Sequence, residues 1–282
     1  MKKTWIKVLL LFSLFVSCKG KDMDSISSDS PFQEKESLSS PEGALTEGKE
    51  TYRDFVLDNV YHSEIGDIHY HSYVPEGDGS KEGHALFITL CGYGSYYFQG
   101  VGKNLRSEDF AFEALKYDSD MIVIAPQLND WGMTSANETI ALTEFLFSRY
   151  PIDRKRVYLE GYSGGGETLS LVLSLRGDLY SRALQVASVW DGDVKSFLSY
   201  RIPLYLTIGE NDEYYGSERI SETYHRMVKG YQEQGLSEEE IYKLLVLDVK
   251  TKDYFKGGNQ HGGIGRIVKD HDVMSWLFDV GE

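Results

Sequence analysis

The chain has 282 residues, 41% of them hydrophobic, which is enough for one sizeable core with a tail. Its 29 Lys and Arg stand against 44 Asp and Glu, a formal net charge of −15. Such a surface repels phosphate backbones and argues against nucleic acid as a partner.

Lys2, Lys3 and Lys7 lie ahead of an apolar run from Val8 to Val16, which is followed by Ser17 and Cys18. A basic start, a short apolar stretch and a small-residue cleavage site form the layout of an export signal. The run is too short to span a bilayer comfortably. Its ending, FVSC, resembles a bacterial lipobox, with Phe15 where Leu is commoner. The resemblance implies a signal over residues 1–17, cleavage before Cys18, and lipidation of the Cys18 thiol. Diacylation there would anchor the chain outside a bacterial cell membrane. The plainer alternative is an ordinary cleaved signal with a chance cysteine. Residues 18–50 then comprise the lipidated cysteine and a tether rich in Ser, Glu, Lys and Asp. A segment of that composition buries too little apolar surface to offset its ordering entropy. The folded domain is expected over 51–282. With Cys18 lipidated, Cys91 has no disulfide partner.

Within that domain DIHYHSYVPEG alternates and ends at Pro75, as a strand with a turn does. HALFITLCGYG and DMIVIAPQ are continuous apolar runs, which suit buried central strands. RVYLEGYS, LQVASVW, IPLYLTIGEND and YKLLVLDVK extend the series. Helical patterns lie between them. SANETIALTEFLFSRY opens with Ser135 and Glu138 in capping-box spacing, and Ile140, Leu142, Phe145 and Leu146 follow a helical period. ERISETYHRMVKGYQEQG and DHDVMSWLFD are further helices. Strands alternating with helices predict an α/β class: a mainly parallel central sheet with helices on both faces, and early strands free to be antiparallel. Ligands of such sheets bind beyond the carboxyl ends of the strands. Five ends should therefore share one edge: Gly92-Tyr93-Gly94, Gln127-Leu128-Asn129, Ser163, Trp190-Asp191 and Glu210-Asn211-Asp212.

One of those ends carries G-x-S-x-G, over Gly161 to Gly165. The motif falls after a strand and before a helix, as a nucleophile elbow requires. The plain alternative is a glycine-rich turn. A serine hydroxyl needs a base, and histidine is the usual one. His261 lies in a glycine-rich loop able to reach the serine. His271 opens the last helix, where the dipole opposes the imidazolium a base must become. His261 is therefore favoured. Asp212, in a G-x-x-D turn, is the favoured partner for the base, ahead of Asp191 and Asp193 and its neighbours Glu210 and Glu213.

The resulting order Ser163, Asp212, His261 is that of the α/β-hydrolase superfamily. YPIDRKRVYLEGYSGGG resembles the nucleophile segment of secreted esterases of the prolyl-oligopeptidase-like and feruloyl- or acetylxylan-esterase-like branches. IPLYLTIGENDEYYG is similar to their acid loop, and the HGG and DVMSWLF segments to their histidine loop and closing helix. The resemblance spans roughly residues 55–280 and implies an α/β-hydrolase fold, without a large lid domain, and a serine esterase that needs no cofactor. It also implies an oxyanion hole from two backbone N–H groups. One belongs to Gly164. The other is assigned to Tyr93, although Cys91 stands where a histidine is usual.

Tyr93, Tyr96, Tyr97, Phe98, Trp131, Trp190, Tyr214 and Tyr215 crowd the expected edge. Aromatic faces suit sugars or aromatic acyl groups, so a small-molecule or carbohydrate ester is the expected substrate; core packing is the plainer account of the same residues. No metal-ligand spacing stands out among the seven histidines. A peptidase of the same fold, and a surface binding lipoprotein without chemistry, are the rival readings.

Overall fold

The computed structural model describes residues 44–77 and 79–278. The expected signal over 1–17, Cys18 and the tether up to residue 43 lie outside the described residues.

Among the described residues ten strands form one sheet: β1 (Leu45–Thr46), β2 (Glu50–Tyr52), β3 (Phe55–Ser63), β4 (Gly66–Tyr73), β5 (His84–Leu90), β6 (Met121–Pro126), β7 (Ile152–Tyr162), β8 (Arg182–Val186), β9 (Leu204–Gly209) and β10 (Leu245–Lys250). The order is β1-β3-β4-β6-β5-β7-β8-β9-β10, with β2 paired to β3. From β6 to β10 every pairing is parallel, while β1 to β4, and β4 with β6, pair antiparallel. The mainly parallel sheet is as expected. Its antiparallel edge is longer, because β1 and β2 take in Leu45, Thr46 and Glu50 of the expected tether. These short strands need little apolar content of their own, since β3 supplies the hydrogen-bonding edge, and Ala44 and Leu45 rest on the core.

Strand residues alternate between two cores. Leu86, Ile88, Leu90, Ile122, Ile124, Val157 and Leu159 face one, and Ala85, Phe87, Met121, Val123, Ala125 and Tyr158 the other. The helices α1 (Lys103–Ser107), α2 (Phe110–Ala114), α3 (Met133–Arg149), α4 (Gly164–Arg176), α5 (Val194–Tyr200), α6 (Glu218–Glu233), α7 (Glu238–Leu244), α8 (Ile264–Ile267) and α9 (His271–Phe278) divide accordingly. α3, α4, α5 and α6 cover the first face through Leu142, Leu169, Phe197 and Met227. α1, α2 and α9 cover the second through Leu105, Phe110 and Leu277.

Two local expectations change. The run YKLLVLDVK is not all strand, since Ser237 and Glu240 form a capping box that carries α7 to Leu244. Ser135 caps nothing. Asp130 stands earlier and its carboxylate accepts the Gly132 and Ser135 N–H groups at 3.0 Å each. The Ser135 hydroxyl instead accepts the N–H groups of Asn129 and Asp130, and Glu138 takes the Asn129 side chain.

Candidate active site

Because β5 to β9 run parallel, the five loops that follow the expected strand ends emerge on one edge. Ser163 joins β7 to α4 with φ 53° and ψ −121°, a conformation costly for a residue with a Cβ. Four hydrogen bonds hold it there. Its N–H donates to Val186 O, and its carbonyl accepts from Gly166 N, Glu167 N and the Ser188 hydroxyl. The flanking glycines make the turn possible. A Cβ on Gly161 would meet the Gly165 carbonyl, and a Cβ on Gly165 would overlap the Leu90 carbonyl oxygen of β5. Gly165→Ala therefore pushes α4 off the sheet. The expected cost is about 3 kcal/mol of stability, checked as a lowered urea midpoint; an unchanged midpoint would show that the helix has room to move.

His261 lies in the loop after β10, and Asp212 in the turn after β9. All three side chains are buried, with Ser163 8%, His261 7% and Asp212 5% exposed, so their mutual hydrogen bonds face little competition from water. The Ser163 hydroxyl lies 3.0 Å from His261 Nε2, and His261 Nδ1 lies 2.9 Å from Asp212 Oδ2. With the proton on Nδ1, that nitrogen donates to the aspartate and Nε2 is left to accept from the serine. Asp212 Oδ1 also accepts the N–H groups of Tyr214 and Tyr215, which fix the carboxylate plane.

Three contacts around this line are not expected from the sequence, in which Glu213 stands only as an alternative to Asp212. Glu213 accepts the Gln260 and His261 N–H groups at 2.8–2.9 Å. Those amides hold its carboxyl below the usual carboxylate range. Adjacent residues thus serve the same histidine, Asp212 at the ring and Glu213 at the backbone. The Tyr162 hydroxyl donates to the His261 carbonyl at 3.1 Å. Glu108, buried at the end of α1, accepts the Gly92 N–H at 3.1 Å beneath the loop after β5.

A cavity of about 650 Å³ opens over Ser163 and His261. Tyr93 and Gly164 line it, and among the described residues neither backbone N–H has a hydrogen-bond acceptor. Gly164 follows Ser163 directly, Tyr93 lines the same cavity, and the amino end of α4 adds its dipole. The aromatic residues divide. Tyr93, Trp131, Tyr214 and Tyr215 line the cavity, with Tyr214 78% exposed, while Tyr96 is buried beneath Trp131. Tyr97 stacks on His69, and Trp190 packs on Phe197 away from the cavity. Phe98 is exposed and meets Tyr93 edge-on. Tyr215 donates to Glu167, whose carboxyl burial pushes up.

The other sequence candidates do other work. His271 sits against Tyr117 and Ser275 on α9. Asp193 caps α5 by accepting Ser196 N, and the Asp191 N–H donates to Ser170. Glu210 accepts Lys252 N. Cys91 is buried, which pushes its thiol well up and away from nucleophilic use.

The model of the prolyl oligopeptidase family (Peptidase_S9) matches residues 127–235, which hold the elbow and Asp212 but not His261. No curated protein matches the sequence. Among solved structures, a thermostable esterase superposes with a TM-score of 0.64 at 20% identity, over 80% of this chain and 63% of its own. An α/β serine hydrolase without a lid from Xanthomonas campestris has a TM-score of 0.52 at 13% identity, over 81% and 95%. The fold is that of the α/β hydrolases. A pair of prolyl endopeptidases was also solved; the matching chain gives a TM-score of 0.54 at 13% identity, over 81% of this chain and 39% of its own. The chain thus spans less than two thirds of the esterase and less than half of the endopeptidase.

Proposed function

We propose that the protein is a serine esterase. The observation that carries the reading is the unbroken line from Ser163 through His261 to Asp212 on the floor of an open cavity. Ser163 Oγ attacks the ester carbonyl while its proton passes to His261 Nε2, and the oxyanion is held by the Gly164 and Tyr93 N–H groups. The tetrahedral adduct collapses, the C–O bond to the alcohol breaks, and His261 returns the proton to the leaving oxygen. Water, deprotonated by His261, then attacks the acyl-serine; the C–Oγ bond breaks, His261 returns the proton to Ser163 Oγ, and the acid is released. Asp212 orients the ring and supports the imidazolium throughout.

The exposed Tyr93, Trp131 and Tyr214 favour carbohydrate-linked acyl esters as substrates. The basic, apolar and FVSC features of residues 1–18 favour export and a lipid anchor at Cys18 facing outward from a bacterial membrane.

The match to the prolyl oligopeptidase family favours peptide hydrolysis as a second reading. A panel of acetyl, feruloyl and long-chain acyl esters with a prolyl anilide, run beside fluorophosphonate labelling, separates the readings. Labelling with turnover of the short or aromatic esters is expected. Turnover of the anilide alone would favour a peptidase, and a folded protein that neither labels nor turns over would be a binding protein.

A further inference from the structure

Among the described residues the Glu108 carboxyl makes no ion pair, and it lies under the loop that carries Tyr93. Its residue is 8% exposed, Oε1 accepts the Gly92 N–H at 3.1 Å, and Oε2 has no partner among the described residues. Ser95, at the other end of the Gly92–Ser95 turn, lines the same cavity as Glu108. Gly92 itself is wedged, since a Cβ there would press on the Tyr162 ring and Ser163. A buried acceptor in this position decides where the next N–H, that of Tyr93, points.

From this we infer that Glu108 is the positioning residue of the oxyanion loop and that its charge governs the alkaline side of the reaction. The inference rests on the esterase reading for its kinetic consequence, though the contact itself does not.

The ionisable groups that face Glu108 are Glu160 on β7, Cys91 after β5 and Tyr162, and Lys103, at the start of α1, lines the same cavity. Burial pushes the Glu160 carboxyl well up, and the Thr89 hydroxyl donates to it at 2.6 Å. Burial likewise pushes Glu108 up to about 8. Below that pH the side chain is neutral and still accepts from Gly92 through its carbonyl oxygen. As pH rises through it, a negative charge appears one peptide away from the Tyr93 donor. That charge opposes the negative charge that develops on the substrate oxygen, and the rate falls.

The test compares wild type, Glu108→Ala and Glu108→Gln, with 4-nitrophenyl acetate as the probe between pH 6 and 10. Wild type is expected to lose about tenfold in kcat on a one-proton alkaline limb. Glu108→Ala, which frees Gly92, loses about 10²-fold in kcat at pH 7 with KM little changed. Glu108→Gln keeps the acceptor without the charge, so it recovers most of that rate and its limb is flat. An unchanged limb in Glu108→Gln, or wild-type kcat in Glu108→Ala, overturns the inference. The Gly92 amide resonance supplies an arm independent of turnover. It should titrate near pH 8 in wild type and not in Glu108→Gln. If wild type neither labels with fluorophosphonate nor hydrolyses the ester, the esterase reading fails, while the amide titration still decides the contact.

Discussion

Ser163→Ala is expected to lower ester hydrolysis about 10⁵- to 10⁶-fold and to abolish fluorophosphonate labelling. The substitution deletes one oxygen and its hydrogen bond to His261. The four backbone hydrogen bonds that hold the elbow at φ 53° involve the Ser163 backbone and partners that remain, so the fold is retained and the melting temperature changes little. Loss of rate without loss of fold is the informative combination. His261→Ala should show nearly the same loss, because an unactivated hydroxyl is a poor nucleophile. His271→Ala should behave as wild type, its ring being engaged with Tyr117 and Ser275. Equal labelling of wild type and Ser163→Ala would remove Ser163 from the chemistry, and a fully active His261→Ala would remove the histidine.

Asp212→Asn should cost about 10⁴-fold in kcat at neutral pH. The geometry explains why so small a change matters. Oδ1 is committed to the Tyr214 and Tyr215 N–H groups at 3.0 and 2.9 Å, so the asparagine must keep its oxygen there. Its amide nitrogen then occupies the Oδ2 place, 2.9 Å from His261 Nδ1. An N–H at that point demands an unprotonated Nδ1, which moves the ring proton to Nε2. The nitrogen facing Ser163 becomes a donor and can no longer take the serine's proton. Steady-state kinetics with a parallel melting curve check this. A loss below tenfold would mean that Asp212 does not set the tautomer.

The strand ends were legible because each central strand is a continuous apolar run closed by polar or glycine residues, as in HALFITLCGYG. The elbow was legible because its chemistry is local, with glycines and serine within five residues. His261 and Asp212 were legible through chain order and through loops that end strands. Glu108, Tyr162 and the hold of Glu213 on the histidine loop were not, because each acts across the fold, at separations of 16, 99 and 47–48 residues. In a chain with 44 acidic residues a buried glutamate has no local mark. Glu213 had one available signal, its place beside Asp212. The aromatic residues show a related limit, since Trp131 and Trp190 both follow strand ends and yet one lines the cavity while the other is buried on Phe197. The Ser135 box failed because Asp130, five residues earlier, competes for the same N–H groups.

The hydrogen-bonded line joins residues that are 98 and 49 positions apart in the chain. Closing loops of that size costs entropy before any contact rewards it, whereas a helix such as α4 is built from neighbours. During renaturation the hairpins and helices therefore recover first, and the alignment of Ser163, His261 and Asp212 comes only when both long closures are complete. On the esterase reading, hydrolytic activity is expected to return as a late event, after a stage in which the refolding chain has a formed backbone and an inert serine.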